Sequence, residues 1–153
     1  MSDAGLIVVG IDGSSPSREA LRWALDEARM REGARVEAVH FWHYPTMTYM
    51  PGIAPTPVFA KADLEAEGRA VLDDAVDAVL GEVGANVPLE RVVAEGGVVE
   101  GLVERSAGAD LLVLGHRGHG GFRELLLGSV ANQCASHARC PVVIVRPPAE
   151  EAS

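Results

Sequence analysis

The chain is poor in lysine and cysteine, and each shortage excludes a class of protein. Its 153 residues include one lysine, Lys61, so a Gly-x4-Gly-Lys-Ser/Thr loop of the P-loop type is excluded. Two cysteines, Cys134 and Cys140, are too few for the disulfide framework of a small secreted domain. We expect both to be ordinary buried thiols. The alternative, a redox pair, would require the two sulfurs to converge.

Positive charge and long apolar runs are also scarce. The net charge is −9 and the sequence pI is about 4.9, so no nucleic-acid partner is expected, because an acidic surface repels phosphate backbones. No apolar run approaches the roughly 20 residues that a bilayer span needs. The first five residues lack the basic and apolar regions of a signal peptide. We therefore expect a cytoplasmic protein with no membrane partner.

The order of apolar and periodic segments predicts an α/β fold in a single domain, expected over residues 1–148 with a disordered tail at 149–153. Strand-length apolar runs alternate with helical periods, which is typical of parallel strands joined by crossover helices. Ser15 is the predicted N-cap of the first helix and Pro16 its first residue, and the other helices are predicted over 60–83, 98–107 and 129–138. The predicted strands are Leu6–Asp12, Arg35–Phe41, Leu89–Ala94, Asp110–Gly115 and Pro141–Arg146.

The most informative motif is Gly-x2-Gly-x9-Gly-Ser, formed by Gly115, Gly118, Gly128 and Ser129. It lies between a predicted strand and a predicted helix, where backbone N–H groups and the positive end of the helix dipole can face an anion. Gly115 and Gly118 are expected to take positive φ and to let the backbone approach phosphate oxygens. The motif therefore predicts a phosphate-binding loop.

Together with other segments, this motif resembles the universal stress protein family. The resemblance rests on Val8-Val9-Gly10-Ile11-Asp12-Gly13-Ser14, Gly115-His-Arg-Gly118, Gly128-Ser129-Val130 and Cys140-Pro-Val-Val-Ile-Val145. It implies one doubly wound domain with a five-stranded parallel sheet of order 3-2-1-4-5 and four helices, the adenine nucleotide alpha hydrolase-like fold. In that family the glycine pattern marks the members that bind ATP.

That strand order brings Asp12 and Gly115 together, because ligands of doubly wound sheets bind where neighbouring crossovers leave to opposite faces. By resemblance, Asp12 would contact ribose or a bound metal, and the backbone near Val39 and Phe41 would contact adenine. Phosphates would lie at the glycines and the start of the fourth helix. The complete expected nucleotide-binding set is Gly10, Asp12, Val39, Phe41, Gly115, His116, Arg117, Gly118, His119, Gly128, Ser129 and Val130.

These observations favour an ATP-binding regulator or sensor in stress responses, with Mg or Mn accompanying the phosphates. No Ser-His-Asp arrangement or nucleophile elbow is evident, so at most slow hydrolysis is expected. Two alternatives stay open: a slow metal-dependent ATPase, and an interaction module that binds another adenine nucleotide such as cyclic AMP.

The apolar edge strand 141–146 and the resemblance both suggest a homodimer. His40 and His43 are expected to border the pocket, and the aromatic-rich segment 42–59 to fold back over the protein.

Overall fold

The computed structural model describes residues 5–44, 51–52, 60–117 and 127–147. Within them lies one sheet of five parallel strands in the order β3-β2-β1-β4-β5, which confirms the predicted fold class and strand order. The elements are β1 (Leu6–Gly10), α1 (Ser15–Arg29), β2 (Arg35–Trp42), α2 (Lys61–Val83), β3 (Leu89–Glu95), α3 (Val98–Ser106), β4 (Leu111–Gly115), α4 (Ser129–His137) and β5 (Val142–Val145).

Alternating side chains of the central strands supply two cores, one on each face of the sheet. Ile7 and Val9 of β1 pack with the buried faces of α1 and α2, whereas Val8 packs with Leu102 of α3 and Cys134 of α4. Such strands, buried on both faces, appear in sequence as continuous apolar runs. Helix α1, which follows β1, packs on one face, and α4, which follows β4, packs on the other. The crossovers of β1 and β4 therefore leave to opposite faces of the sheet.

The start of α1 differs from its prediction by one residue. The N-cap is Ser14, not Ser15, and its hydroxyl oxygen accepts a hydrogen bond from the Ser17 N–H at 3.3 Å. Pro16 occupies one of the first two helical positions, where a missing N–H costs no helical hydrogen bond. Strand β1 correspondingly ends at Gly10, two residues before the predicted end at Asp12.

Both cysteines are free thiols. Cys134 is fully buried, and burial raises the pKa of its thiol to about 11. The pKa of Cys140 is also raised, first by burial and then by the charge of Asp110. High thiol pKa values disfavour the reactive thiolate. Cys134 is buried as expected, whereas Cys140 is only partly buried.

The described helices include none with the length and apolarity to cross a bilayer.

Candidate functional site

A cavity of about 300 Å³ opens at the carboxyl ends of β1 and β4, at the low end of the usual volume for small-molecule sites. It lies where the crossovers diverge, as expected for a doubly wound sheet. Nine of the predicted site residues line it: Gly10, Asp12, Val39, Phe41, Gly115, Arg117, Gly128, Ser129 and Val130.

The other three predicted residues are placed differently or not described. Gly118 and His119 lie outside the described residues. His116 lies between the lining residues Gly115 and Arg117 but does not itself line the cavity. Its backbone joins β5 to the start of α4. Its N–H donates to the Val145 carbonyl at 3.0 Å, and its carbonyl accepts from the Gly128 N–H at 2.7 Å. Most of the segment 42–59 is likewise outside the description.

Six further lining residues are absent from the predicted set. They are Ile11, Ser17, Val98, Leu102, Leu114 and Ala131. All except Ser17 are apolar, and their helical or strand spacing predicts only that they are buried. Which buried side chains border a cavity depends on how α3 and α4 dock on the sheet.

His40 lines the cavity as predicted, with Nδ1 2.8 Å from the Ile11 carbonyl, whereas His43 is exposed and does not.

The turn between β1 and α1 satisfies its own polar groups. Asp12 Oδ1 accepts hydrogen bonds from the Ser14 N–H, at 2.9 Å, and from the Ser14 hydroxyl. Gly13 has a φ of 87°, a left-handed value that a glycine adopts at little cost. Asp12 is thus a turn-capping residue as well as part of the cavity wall.

The start of α3 is also occupied by a group of the protein. Its N-cap is Gly97, and the carboxylate of Glu100 folds back over this residue so closely that a Cβ on Gly97 would overlap Glu100 Oε2. A glutamate at the third helical position commonly returns to the N-cap in this way. The negative carboxylate at this helix start disfavours a second anion there.

The start of α4 has no such group. Its N-cap, Gly128, makes no side-chain cap hydrogen bond, and the first turn contains no acidic residue. The first intrahelical bond of this end runs from Asn132 N–H to the Gly128 carbonyl at 3.0 Å. The N–H groups of the first helical residues have no intrahelical acceptor in an α-helix, and Ser129, Val130 and Ala131 all line the cavity. These amides and the positive helix end suit an anion.

Two of the motif glycines have roles other than the predicted ones. Gly115 does not take positive φ. Instead, a Cβ there would lie 2.6 Å from the backbone carbon of Pro16, so Gly115 is needed for the close packing of β4 on the start of α1. Gly128 has an ordinary φ of −69°. Its N–H already donates to the His116 carbonyl, so this amide is not available to a ligand.

Positive charge lies on the same side as the α4 start. Arg117 lines the cavity, and Arg117 and Arg146 are close enough to lower the pKa of His116 below its ordinary value, after the larger effect of burial. His116 is therefore neutral at pH 7, and the arginines supply the local positive charge.

The end of β2 presents backbone groups to the cavity. In a parallel strand, alternate residues bond to opposite neighbours. Val39 accepts from the Ile11 N–H at 2.9 Å, on the β1 side, and Trp42 accepts from the Gly96 N–H at 2.8 Å, on the β3 side. Phe41 therefore directs its N–H and carbonyl to the β1 side, beyond the last residue of β1, where they can contact a planar polar ligand edge.

The described part of the cavity wall offers few ligands for a metal ion. The described residues contain no cluster of three or more His, Cys, Asp or Glu side chains suited to a metal ion. Among the described lining residues, Asp12 is the one carboxylate. A cation here would need its further ligands from water and a bound phosphate group.

Comparison with known proteins matches residues 5–146 to the model of the universal stress protein family. The universal stress protein Rv2005c of Mycobacterium tuberculosis is 38% identical over 140 residues, which cover 92% of this chain and 45% of that protein. The chain thus spans about half the length of this relative. A universal stress protein family structure from Burkholderia pseudomallei is 33% identical with a TM-score of 0.63, covering 95% of this chain and 98% of that chain.

A second solved structure is a universal stress protein in complex with cAMP. It is 26% identical to this chain with a TM-score of 0.68, and the match covers 94% of this chain and 98% of that chain. The family match covers all nine strands and helices and every described residue of the cavity wall. The chain belongs to the universal stress protein family.

Proposed function

We propose that this protein binds ATP and acts as a nucleotide-dependent regulator in stress responses. The observation that carries the proposal is the open start of α4, whose first residues line the cavity and have no side-chain cap. The starts of α1 and α3 face the same region but are occupied by Ser14 and Glu100. The phosphates therefore belong at α4.

This arrangement orients the nucleotide. The opposite end of the cavity, which we term the base end, is formed by Phe41, Val98 and Leu102. These side chains provide apolar surface for a purine, while the backbone of Phe41 can pair with its polar edge. Asp12 lies between the base end and α4 and is suited to ribose hydroxyls.

A divalent cation fits this proposal without a dedicated cage. Mg²⁺ is usually held by one or two carboxylates together with substrate phosphates, and Asp12 can supply one carboxylate. Such a cation would neutralise phosphate charge on a protein whose net charge is −9. We propose Mg²⁺ or Mn²⁺ as its identity.

Hydrolysis should be slow. Asp12 and His40 are the titratable proton acceptors among the described lining residues. Asp12 Oδ1 already accepts hydrogen bonds from Ser14. The His40 ring donates from Nδ1 to the Ile11 carbonyl, and its other nitrogen, Nε2, lies beside Gly68 of α2. A general base must reach the attacking water to be effective. We therefore propose regulation by nucleotide occupancy in the cytoplasm rather than by turnover.

Calorimetric titration of the purified protein with ATP, ADP, AMP and cyclic AMP, with and without Mg²⁺, tests the proposal. We expect ATP to bind most tightly and Mg²⁺ to strengthen its binding. Failure of all four nucleotides to bind at millimolar concentration would refute it, and turnover of many ATP per second would refute the regulatory assignment.

Cyclic AMP is the second candidate ligand. It is favoured by the solved relative that is 26% identical and was determined in complex with cAMP. Cyclic AMP has one phosphate and would engage fewer α4 amides than ATP. Tighter binding of cyclic AMP than of ATP in the titration would select this alternative.

We also propose a homodimer formed through β5. The two edge strands of the sheet differ: β3 contains Glu90 and Arg91, and Arg91 is paired with Asp73 and Asp77 of α2 at 2.9 and 2.7 Å. The β5 edge, Val142–Val145, is entirely apolar and half-buried. Exposed apolar edges favour pairing with another strand. Light scattering that gives only a monomer at micromolar concentration would contradict this proposal.

A further inference from the structure

Gly101 lies inside α3, where a glycine lowers helix stability. It occupies the fourth position of a nine-residue helix, and its N–H donates to the Gly97 carbonyl at 3.0 Å. A glycine in a helix interior is less favourable than alanine. A short helix that tolerates this cost calls for a packing reason.

The reason is the ring of Phe41. A Cβ on Gly101 would overlap Phe41 Cε1 and lie 2.5 Å from Cζ and 2.9 Å from Cδ1. One edge of the ring therefore fills the space that a side chain at position 101 would occupy. Three ring atoms are involved, so a small adjustment of one flexible atom cannot relieve the overlap.

The same phenylalanine forms the base end of the cavity with Val98 and Leu102. Val98 and Leu102 flank Gly101 on α3, so the ring, the glycine and the apolar wall form one packed unit. A ring displaced from α3 must take another χ1 rotamer. Because Phe41 lines the cavity, this displacement alters the space available to a base.

We propose that Gly101 is a positioning residue that fixes the base end of the nucleotide cavity by seating the Phe41 ring against α3. The inference rests on the proposed function and deepens it, since it identifies what sets the shape of the base-binding half. Gly101 acts through Phe41 rather than by touching the ligand. Gly101 and Phe41 lie on α3 and β2, whereas the proposed phosphate-binding half is built on the start of α4.

The proposal predicts a selective effect for Gly101→Ala. The new methyl group moves the ring from its seat on α3 and alters the space for a base, so we expect ATP to bind about tenfold more weakly, a change of about 1.4 kcal/mol. Inorganic tripolyphosphate, which has no base, should bind as it does to the wild type. In a Phe41→Leu background the new methyl group meets no ring, so Gly101→Ala should change ATP affinity much less there than in the wild type.

Calorimetry with ATP and with tripolyphosphate on these proteins is the test. Gly81→Ala is the matched control, because Gly81 is also inside a helix and a Cβ there meets nothing within 4 Å. Equal ATP affinity in wild type and Gly101→Ala, an equal loss for both ligands, or the same loss from Gly101→Ala in the Phe41→Leu background as in the wild type would overturn the inference and leave the proposed function intact. If the wild type binds no adenine nucleotide, the proposed function fails and this inference fails with it.

Discussion

The starts of α1 and α4 lie on either side of the same cavity, yet one is closed and the other open. At α1, Ser14 caps the Ser17 N–H, and Asp12 in turn binds Ser14. At α4, the cap is Gly128, which makes no side-chain bond. Both helices follow strands of the same sheet, so fold alone does not decide where an anion binds. The capping residue decides it.

The largest effect is expected when the start of α4 is given a side-chain cap like that of α1. Gly128→Asp places a carboxylate where the phosphates should lie, and hydrogen bonds to charged groups are each worth about 1.5–3 kcal/mol. We expect ATP affinity to fall about 100-fold, while the free energy of unfolding rises by a few tenths of a kcal/mol because Asp caps better than Gly. Calorimetry and urea denaturation measure the two quantities. Gly128→Ala, which adds a Cβ but no cap, should retain most of the affinity; an equal loss would show that space, not charge, is decisive.

Disturbing the contact between the end of β4 and the start of α1 should have the next largest effect. Gly115→Ala would place a Cβ 2.6 Å from the Pro16 carbonyl carbon, and relief requires backbone movement. We expect the free energy of unfolding to fall by about 2 kcal/mol, measured by urea denaturation. Gly108→Ala is the control, because a Cβ there meets nothing within 4 Å. Similar stabilities for the two variants would contradict the close-packing role.

Removing the side-chain cap of α1 should have a smaller effect. Ser14→Ala removes the cap of α1 and should lower the free energy of unfolding by about 1 kcal/mol. Ser15→Ala alters the neighbouring exposed serine and should change it little. Thermal or urea unfolding of both variants checks the difference. A larger loss for Ser15→Ala would restore Ser15 as the cap and contradict the structure.

The smallest expected effect concerns pH. His116, whose carbonyl holds the Gly128 amide, has a pKa below its ordinary value of 6.5. The unfolded chain therefore binds this proton more readily than the folded protein does. The contribution of neutral His116 to stability is complete above pH 6.5 and is lost as the pH falls through the lower folded-state pKa. His116→Gln should remove this part of the stability-pH profile. His137→Gln, at an exposed position of α4, is the control; if both variants retain the wild-type profile, His116 is not responsible.

The parts of the fold that depend on local pattern could be predicted from the sequence. Alternating apolar runs and helical periods placed every strand and helix within a few residues, whereas the strand order came from the family resemblance. The end of β1 was harder, because the apolar run continues into Ile11 while the turn chemistry of Asp12 and Ser14 ends the strand. A run of two serines likewise does not reveal which one caps the helix.

Roles that depend on tertiary contact were less accessible. The glycine motif predicted that Gly115 is needed, but the cause is the approach of Pro16 from a distant segment. Gly101 was not predicted at all. The isolated glycine in a helical period was a usable signal, but nothing in the sequence indicates that its partner is Phe41, 60 positions earlier.

The pairing of β1 with β4 has a consequence for how the molecule assembles. Leu6 and Asp110 are joined by a 2.8 Å hydrogen bond across 104 positions, and such non-local closures are slow steps in folding. The two walls of the cavity meet only when this closure is complete. Nucleotide added during refolding should therefore be captured only after β1 and β4 have paired, and a fragment lacking either half of the sheet should capture none.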